Sequence, residues 1–467
     1  MSASPRVSRS FTRRRLLGHV GAAIAASAFA APAIHLGRSS VFAQTPVVSD
    51  ISGEITEWGF GIAETNPMAR ARVLAFQEAY PNIKLEIVDT FDEQKLLTAA
   101  ASHTLPDLLW LSRFETATWA SRGILRPLTE FIERDGYDTS IFYDAALNES
   151  TWEDEIYGIP GGMDVRALFV NLDHLDEIGV DGTTLDTSNW DQLAEYGAKL
   201  VQRDGDKVNR WGYDTKTQAR NFWLWGRGNG GHFMNDDATE ATFDDEKIVE
   251  ALSLMVKTYD DQGGYDSYAS IATTFQGDEQ FARGQVSMTI YEQWMLAAAV
   301  ASVAPDMNFR VLPIRERGSG ADGKMVSFTG GNAWYITSDA KDPDAAWEYI
   351  KFLHTDETWL KGGQGVKELR ASQGNPFVPS LTGSKTADKA QRDQLYESVN
   401  EAFDAAVELF PQLLEQSENR EIAGSPVAGQ LDDIMADDGV DPALRGTDAG
   451  DALGTADQNA QDAIDSM

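Results

Sequence analysis

The chain has 467 residues, 73 of them acidic and 39 basic, and its formal net charge is −34. A surface of this charge repels nucleic acid and anionic lipid head groups, which argues against partners of either class. The chain contains no cysteine. That absence excludes disulfides, thiolate metal sites, iron–sulfur clusters and a cysteine nucleophile.

Residues 1–43 differ from the rest of the chain because they contain six arginines and no acidic residue. The arginine run in TRRRLLG, residues 12–18, precedes an apolar stretch at 18–32 that is too short for a comfortable membrane span. This order is typical of an export signal, and TRRRLLG resembles the twin-arginine signature. The alternative is a basic patch on a folded helix, but periodic polar positions are missing after Gly18.

Cleavage of this signal is expected before Gln44, and a cut after Ala30 is the alternative. Removing residues 1–43 lowers the formal net charge from −34 to −40, which argues against a strongly anionic ligand. No cysteine follows the apolar stretch, so no lipid anchor is expected. The mature chain is therefore predicted to be a periplasmic protein.

Strands and helices alternate along the first part of the mature chain. Strands are predicted at 55–60, 83–88 and 106–111, and helices at 67–80, 92–103 and 115–122. Asn66 provides an N-cap and Pro67 the first helical position of the first helix. Alternation with short connections predicts an α/β class fold with a doubly wound, mostly parallel sheet.

A second region of similar character follows. YGIPGGMDVRALFVN, residues 157–171, contains a long apolar strand, and 187–201 is a capped amphipathic helix. From residue 386 onward the pattern is mostly helical. The acidic segment 432–467 has alanines at helical spacing and is interpreted as a solvated amphipathic helix.

Several segments in this order resemble the extracellular solute-binding proteins of ABC importers, in the maltose and multiple-sugar class. They are AFQEAYPNIKLEIV (75–88), PDLLWLSRFETATWASRGILRPL (106–128), YGIPGGMDVRALFVN (157–171), EQFARGQVSMTIYEQWM (279–295), LPI (312–314) and FTGGNAWYITSDAKDPDAAWEYIKFL (328–353). The resemblance implies two lobes, each a mostly parallel sheet flanked by helices, with a ligand cleft between them. It also implies no catalytic activity and delivery of solute to a membrane permease.

The domain boundaries follow from the same resemblance. Lobe 1 is predicted at 44–160 plus 326–360, and lobe 2 at 161–325 plus 361–467. A hinge is expected near 159–165 and 310–327, and closure of the lobes over ligand would give the form that the permease recognises.

A neutral sugar offers hydroxyls and an apolar ring face, which aromatic side chains and fixed polar groups recognise. Asp164, in an apolar strand, matches a ligand-binding acid of the family, and a turn or ion pair is the alternative. Arg113 follows a buried strand, where ligands gather in open α/β sheets. Trp294 matches a stacking aromatic of the family, with a core position as the alternative. Ser112 stands where the maltose class is commonly acidic, which argues against maltose itself.

Seven further residues are candidates for ligand contact, each with a structural alternative such as a β-bulge, a core position or a surface salt bridge. They are Trp58, Glu64, Asn221, Trp225, Gly331, Asn332 and Arg370.

Other chemistry has little support in the sequence. Gly226, Gly228 and Gly231 satisfy G-x-G-x-x-G, but without the strand–helix context of a dinucleotide site. The six histidines are scattered, so neither a metal nor a cofactor is predicted. The sequence favours a monomeric receptor that delivers a mono- or oligosaccharide or polyol to an ABC permease, and chemoreception through the same closed form is a further possibility. The alternative is an exported glycan-active enzyme, which needs two acids roughly 5–9.5 Å apart.

Overall fold

Two mixed β-sheets form the framework of the computed structural model, which describes residues 50–205, 207–235, 238–272 and 277–467. The predicted export signal lies outside these described residues. The strands are β1 (Gly53–Trp58), β2 (Ile83–Val88), β3 (Leu108–Ser112), β4 (Thr151–Trp152), β5 (Glu155–Ile156), β6 (Gly158–Pro160), β7 (Asp164–Asn171), β8 (Gln202–Asp204), β9 (Lys207–Asp214), β10 (Val286–Glu292), β11 (Phe309–Leu312), β12 (Ile314–Arg315), β13 (Met325–Val326), β14 (Thr329–Gly330) and β15 (Asn332–Ile336).

The first sheet has the order β2-β1-β3-β15-β6, and the second has the order β11-β7-β10-β9-β8 with β14 paired to β7. In the first sheet, β1 runs parallel to β2 and β3, whereas β15 is antiparallel to β3 and β6. In the second, β9 and β10 are parallel, but β7 is antiparallel to β10, β11 and β14.

The two-lobed α/β fold is confirmed, but the second sheet is more antiparallel than expected. The physical reason is the route of the chain. Strands β7 and β15 each start at the crossing between the sheets and run away from it, so they oppose the neighbouring strands that end there. A crossover between two lobes therefore replaces the parallel βαβ connection at these positions.

Helices cover both sheets. Around the first sheet lie α1 (Pro67–Ala79), α2 (Glu93–Ala101), α3 (Thr116–Ser121), α4 (Thr129–Asp135), α5 (Asp144–Glu149), α13 (Pro343–Leu353), α14 (Asp356–Ser372) and α15 (Lys385–Leu395). Around the second lie α6 (Leu172–Glu177), α7 (Trp190–Leu200), α8 (Phe222–Gly228), α9 (Glu246–Asp260), α10 (Tyr265–Ala272), α11 (Gly277–Ala282), α12 (Ala301–Val303), α16 (Glu401–Gln416), α17 (Ala428–Ile434), α18 (Asp441–Leu444) and α19 (Ala449–Asp465). Within the ranges that the structure describes, no helix has both the length and the apolar character needed to cross a membrane.

Local signals account for the ends of the outer helices. Asn66 accepts the N–H of Ala69, and Pro67 is the first residue of α1, as the cap pattern predicts. The alanine spacing of the C-terminal segment also marks a helix, α19, which Asp448 caps. Its alanine face is buried in the core of the second lobe, as the apolar face of an amphipathic helix is.

The chain crosses between the lobes at 160–164 and again at 330–332, where β6 leads to β7 and β14 leads to β15. The first crossing lies where the hinge was predicted. The second lies beyond the predicted 310–327, because β11 still pairs with β7. Helix α14 packs against α1, and α15 packs against α14, so the chain returns to the second lobe after residue 395 rather than after 360.

Candidate functional site

A cleft of about 270 Å³ lies beside the two crossings, and we call it the hinge cleft. It is lined by Trp110, Gly162, Met163, Asp164, Gln293, Trp294, Ala297, Gly331, Asn332, Val378, Pro379, Ser380, Leu381 and Phe410. Four of the ten residues predicted for ligand contact meet here, Asp164, Trp294, Gly331 and Asn332. Their contact with a ligand remains a prediction, but the structure brings them together from three distant parts of the chain.

Trp294 is the aromatic wall of the hinge cleft and keeps 42% of its surface exposed. Its ring stands edge-on to Tyr291, with 5.2 Å between the ring centroids. The ammonium of Lys216 lies 4.7 Å from the centroid of Tyr291, and Lys216 pairs in turn with the buried Asp214 at 3.4 Å. A large apolar ring exposed inside a cleft is suited to stack on a ligand.

Gln293, next to Trp294, fixes this segment to the first crossing. Its Oε1 accepts the N–H of Val165 at 2.8 Å, and its Nε2 donates to the carbonyl of Met163 at 3.0 Å. Sequence reasoning did not single out Gln293, because an amide that binds backbone has no distinguishing pattern. These two hydrogen bonds hold the segment that contains Trp294 next to the first crossing.

Asp164 forms the ion pair that was the alternative to ligand contact, and its contact with a ligand remains a prediction. Arg166 donates from Nη1 to Asp164, and its Nη2 lies 3.2 Å from a carboxylate oxygen of Glu292. Arg166 also donates from Nε to Asn221 at 3.2 Å. The Asp164 side chain nevertheless remains 23% exposed, so it keeps accepting capacity for a ligand hydroxyl.

Gly331 permits the close crossing of the strands. Its φ is +127°, and a Cβ at this position would lie 2.2 Å from the carbonyl oxygen of Gly162. Only glycine takes up both the backbone angle and the approach. The side-chain amide of the next residue, Asn332, has no hydrogen-bond partner among the described residues and lines the cleft.

Arg113 has a structural position rather than the predicted ligand contact. It is fully buried and lies 3.3 Å from Glu149, and it donates to the carbonyls of Gly162 and Gly330 at 2.6 Å each. Because no surface of Arg113 is exposed, it offers nothing to a ligand here. It joins the end of β3 to both crossings.

A second cavity of about 600 Å³ lies between the lobes, and we call it the lobe cavity. It is lined by Glu93, Ser112, Phe114, Glu115, Thr118, Trp119, Arg122, Arg220, Arg420, Pro426, Val427, Gly429, Gln430, Asp432 and Asp433. None of these residues was predicted for the site. Glu115 and Trp119 lie in the segment after β3, where the rule for carboxyl ends of strands could have pointed.

Arg166 and Asn221 connect the two cavities. Arg166 binds Asp164 of the hinge cleft, and its partner Asn221 directly follows Arg220 of the lobe cavity. Asn221 was predicted as a ligand contact, but it is only 2% exposed and supports Arg166 instead.

The other four predicted residues lie outside both cavities. Trp58 is mostly buried, and the ammonium of Lys95 lies 3.9 Å from its ring centroid. Glu64 is exposed in the turn before α1. Trp225 is fully buried in the core of the second lobe. Arg370 donates to Ser302 at 2.8 Å and to the carbonyl of Ala297, so it supports the helix behind the hinge cleft.

No group of three histidines, cysteines or carboxylates that could hold a metal ion occurs among the residues that the structure describes.

Comparison with known proteins identifies the family that this chain is similar to. Residues 71–396 match the family described as bacterial extracellular solute-binding protein. A putative binding protein of Brucella abortus (strain 2308) is 26% identical over 62% of this chain and 69% of its own length. The lactose-binding protein of Rhizobium radiobacter is 21% identical over 73% of this chain and 78% of its own length.

Solved structures share the fold at lower identity. An ABC substrate-binding protein of Listeria monocytogenes in complex with cycloalternan superposes with a TM-score of 0.70 at 19% identity, over 89% of this chain and 100% of that one. The sugar-binding protein of Xanthomonas citri gives a TM-score of 0.69 at 18% identity, over 89% and 98%.

Proposed function

The chain belongs to the bacterial extracellular solute-binding family, and from this premise we propose that it captures a sugar or polyol and delivers it to an ABC-type membrane permease. The observation that carries the proposal is the exposed Trp294 beside Asp164 and the unpartnered amide of Asn332 in one cleft. Together they supply a flat apolar face and directed hydrogen bonds, which are what a polyhydroxylated ring requires.

The names of relatives support a carbohydrate ligand. One relative is described as lactose-binding, another as arabinooligosaccharide-binding and another as diacetylchitobiose-binding. None of these ligands is anionic, which agrees with the strongly negative charge of this chain. We infer the ligand class from them and not the individual sugar.

The mechanism that we propose is closure of two lobes about the crossings at 160–164 and 330–332. Gly331 and Gly162 lie in these crossings, and short connections of this kind absorb rotation between packed lobes. A ligand that contacts both lobes favours the closed form, and the permease would recognise that form. Catalysis is not part of the proposal, because the family binds solutes for transport.

A thermal-shift screen of neutral sugars and polyols tests the binding, because a ligand of the native state alone raises Tm. A confirmed ligand should not raise the Tm of the double variant Asp164→Asn, Trp294→Ala. It should still raise the Tm of Asp176→Asn, a change at an exposed position on α6. Chromatography of the incubated ligand separates the alternative function: a hydrolysis product would favour the glycan-active enzyme and contradict a receptor.

Small-angle scattering with and without the confirmed ligand tests closure. We expect a smaller radius of gyration with ligand, unchanged secondary structure and the mass of a monomer. An unchanged radius would contradict the hinge mechanism while leaving binding intact.

Export through the twin-arginine pathway is a separate proposal, based on residues 12–18. Replacing Arg13 and Arg14 with lysine should leave uncleaved precursor in the cytoplasm. Full recovery of mature protein from the periplasm would contradict the assignment.

A further inference from the structure

The two walls of the lobe cavity differ in how their charges are paired. On the second-lobe wall, Arg220 binds both Asp432 and Asp433. Asp432 also accepts the indole N–H of Trp223 at 2.7 Å and lies 3.3 Å from Arg420. The carboxylates of this wall therefore already have cationic partners within the protein.

The carboxylates of the first-lobe wall are not held in ion pairs. Neither Glu115 nor Glu93 has a basic group within 4.0 Å in the described part of the chain, although Arg122 lines the same wall. Burial raises the pKa of Glu115, and the charge of Glu93 raises it further, whereas a hydrogen bond from Trp119 and the charge of Arg122 lower it. The cavity is lined by four carboxylates and three guanidiniums, the latter from Arg122, Arg220 and Arg420, so its formal charge is negative.

Independent polar atoms line the same cavity without partners. The hydroxyl of Thr118 is buried, with the residue 8% exposed, and it has no hydrogen-bond partner among the described residues. Nε of Arg420 is also buried and has no hydrogen-bond partner among the described residues. A buried polar group without a partner costs free energy unless water or a ligand supplies one. The lobe cavity therefore adjoins polar groups whose hydrogen bonds the described residues do not satisfy.

We propose that the lobe cavity selects a sugar that carries a protonated amine, with Glu115 as its counter-ion and Glu93 as a second attracting charge. This inference rests on the proposed sugar-binding function. The amine supplies the cation that neither Glu115 nor Glu93 has within ion-pair distance. Neutral hydroxyl sugars make the hydrogen bonds but leave the charge unbalanced.

The test compares β-1,4-linked disaccharides that share a glucose skeleton and differ at carbon 2: chitosan disaccharide with free amines, its diacetylated form and cellobiose. Titration calorimetry at about pH 6.5 keeps most of an aliphatic amine protonated. We expect the free-amine sugar to bind at least about tenfold more tightly than the other two, as for a charge-assisted hydrogen bond. Matched galactose and mannose series extend the comparison to other ring stereochemistries.

Variants assign the effect to the cavity. Glu115→Gln should remove the preference for the amine, whereas Glu78→Gln on the exposed face of α1 should keep it. A circular dichroism melt of each variant verifies that it is folded. Equal or tighter binding of the neutral member in every series that binds, or an amine preference that survives Glu115→Gln, would overturn this inference. If no member of any series bound, this inference would be overturned, and the thermal-shift screen of neutral sugars and polyols would decide the sugar-binding function by itself.

Discussion

The hinge cleft and the core of the second lobe both contain tryptophan, but they use the residue in different ways. Trp294 in the cleft is 42% exposed and touches Tyr291 by its edge. Trp225 in the core has no exposed surface; its ring meets Trp190 edge-on at 4.8 Å, and its N–H donates to the carbonyl of Thr215.

This difference distinguishes residues that are available to a ligand from residues that stabilise the fold. The surface and the N–H of Trp225 are fully used within the protein, so its contacts stabilise the native state. Trp294 leaves part of its ring free, so its remaining contacts are available to a ligand. The same distinction separates Arg113, whose guanidinium is buried among carbonyls and Glu149, from Asp164, which stays partly exposed.

The largest loss of stability is expected for Arg113→Met. Removing one partner of a buried ion pair leaves the buried Glu149 without its nearest cation, which costs about 3–5 kcal/mol. Urea unfolding should show this loss. The double variant Arg113→Met, Glu149→Leu should recover much of it, and a double variant no more stable than the single one would contradict the ion-pair explanation.

A similar loss is expected for Trp225→Ala, because removing a large core side chain costs about 3–5 kcal/mol. Trp225→Phe retains most of the ring volume and should lose less. The same urea measurement compares them. A loss below about 1 kcal/mol for Trp225→Ala would show that Trp225 contributes as little to stability as is expected of Trp294, and would contradict the distinction between core and cleft.

An acid-dependent loss of stability is expected from His354, which packs beside the first crossing. Burial, helped by the charge of Arg72, lowers its pKa to about 3. Below about pH 6.5 the unfolded histidine binds a proton that the native one does not, so stability falls as the pH falls toward 3. The slope is about 1.4 kcal/mol per pH unit.

Urea unfolding of His354→Gln and wild type at pH 6.5 and 4.5 measures this contribution. The variant should lose about 2–3 kcal/mol less than wild type between these values. His103→Gln, at an exposed position, is the matched control and should follow wild type. If His354→Gln and wild type lost the same free energy of unfolding between pH 6.5 and 4.5, the acid-dependent loss would not come from His354.

Asp164→Asn tests whether the hinge cleft binds the ligand. The change keeps the shape but removes the charge, and a hydrogen bond to an ionised group contributes about 1.5–3 kcal/mol. The Kd for a confirmed ligand should rise roughly 10- to 150-fold. Calorimetry measures it against Asp176→Asn, and an unchanged Kd would remove Asp164 from the site.

The smallest change in stability is expected for Trp294→Ala, about 1 kcal/mol or less, because the ring is already partly in water. Ligand affinity should nevertheless fall by about tenfold through the lost stacking surface. Denaturant melts and calorimetry on the same sample separate the two effects. A stability loss as large as that of Trp225→Ala would show that Trp294 belongs to the core.

Periodicity and end signals in the chain determined the elements and the fold class. The cap at Asn66, the alternation in 83–88 and the alanine spacing of α19 are local, and the structure has these elements at those places. The order of segments was enough to indicate the two lobes and to direct attention to Asp164, Trp294, Gly331 and Asn332, which meet in one cleft.

Tertiary packing alone decided which polar and aromatic side chains remain available. Trp225 and Trp294 are the same residue type, but Trp225 is enclosed in the core of the second lobe, where Trp190 packs against it, and Trp294 is not. Glu115 and Asp432 face each other across a cavity whose walls are about 300 residues apart in the chain. Short-range patterns carry no information on such pairs, because burial and charge pairing arise only when distant segments pack together.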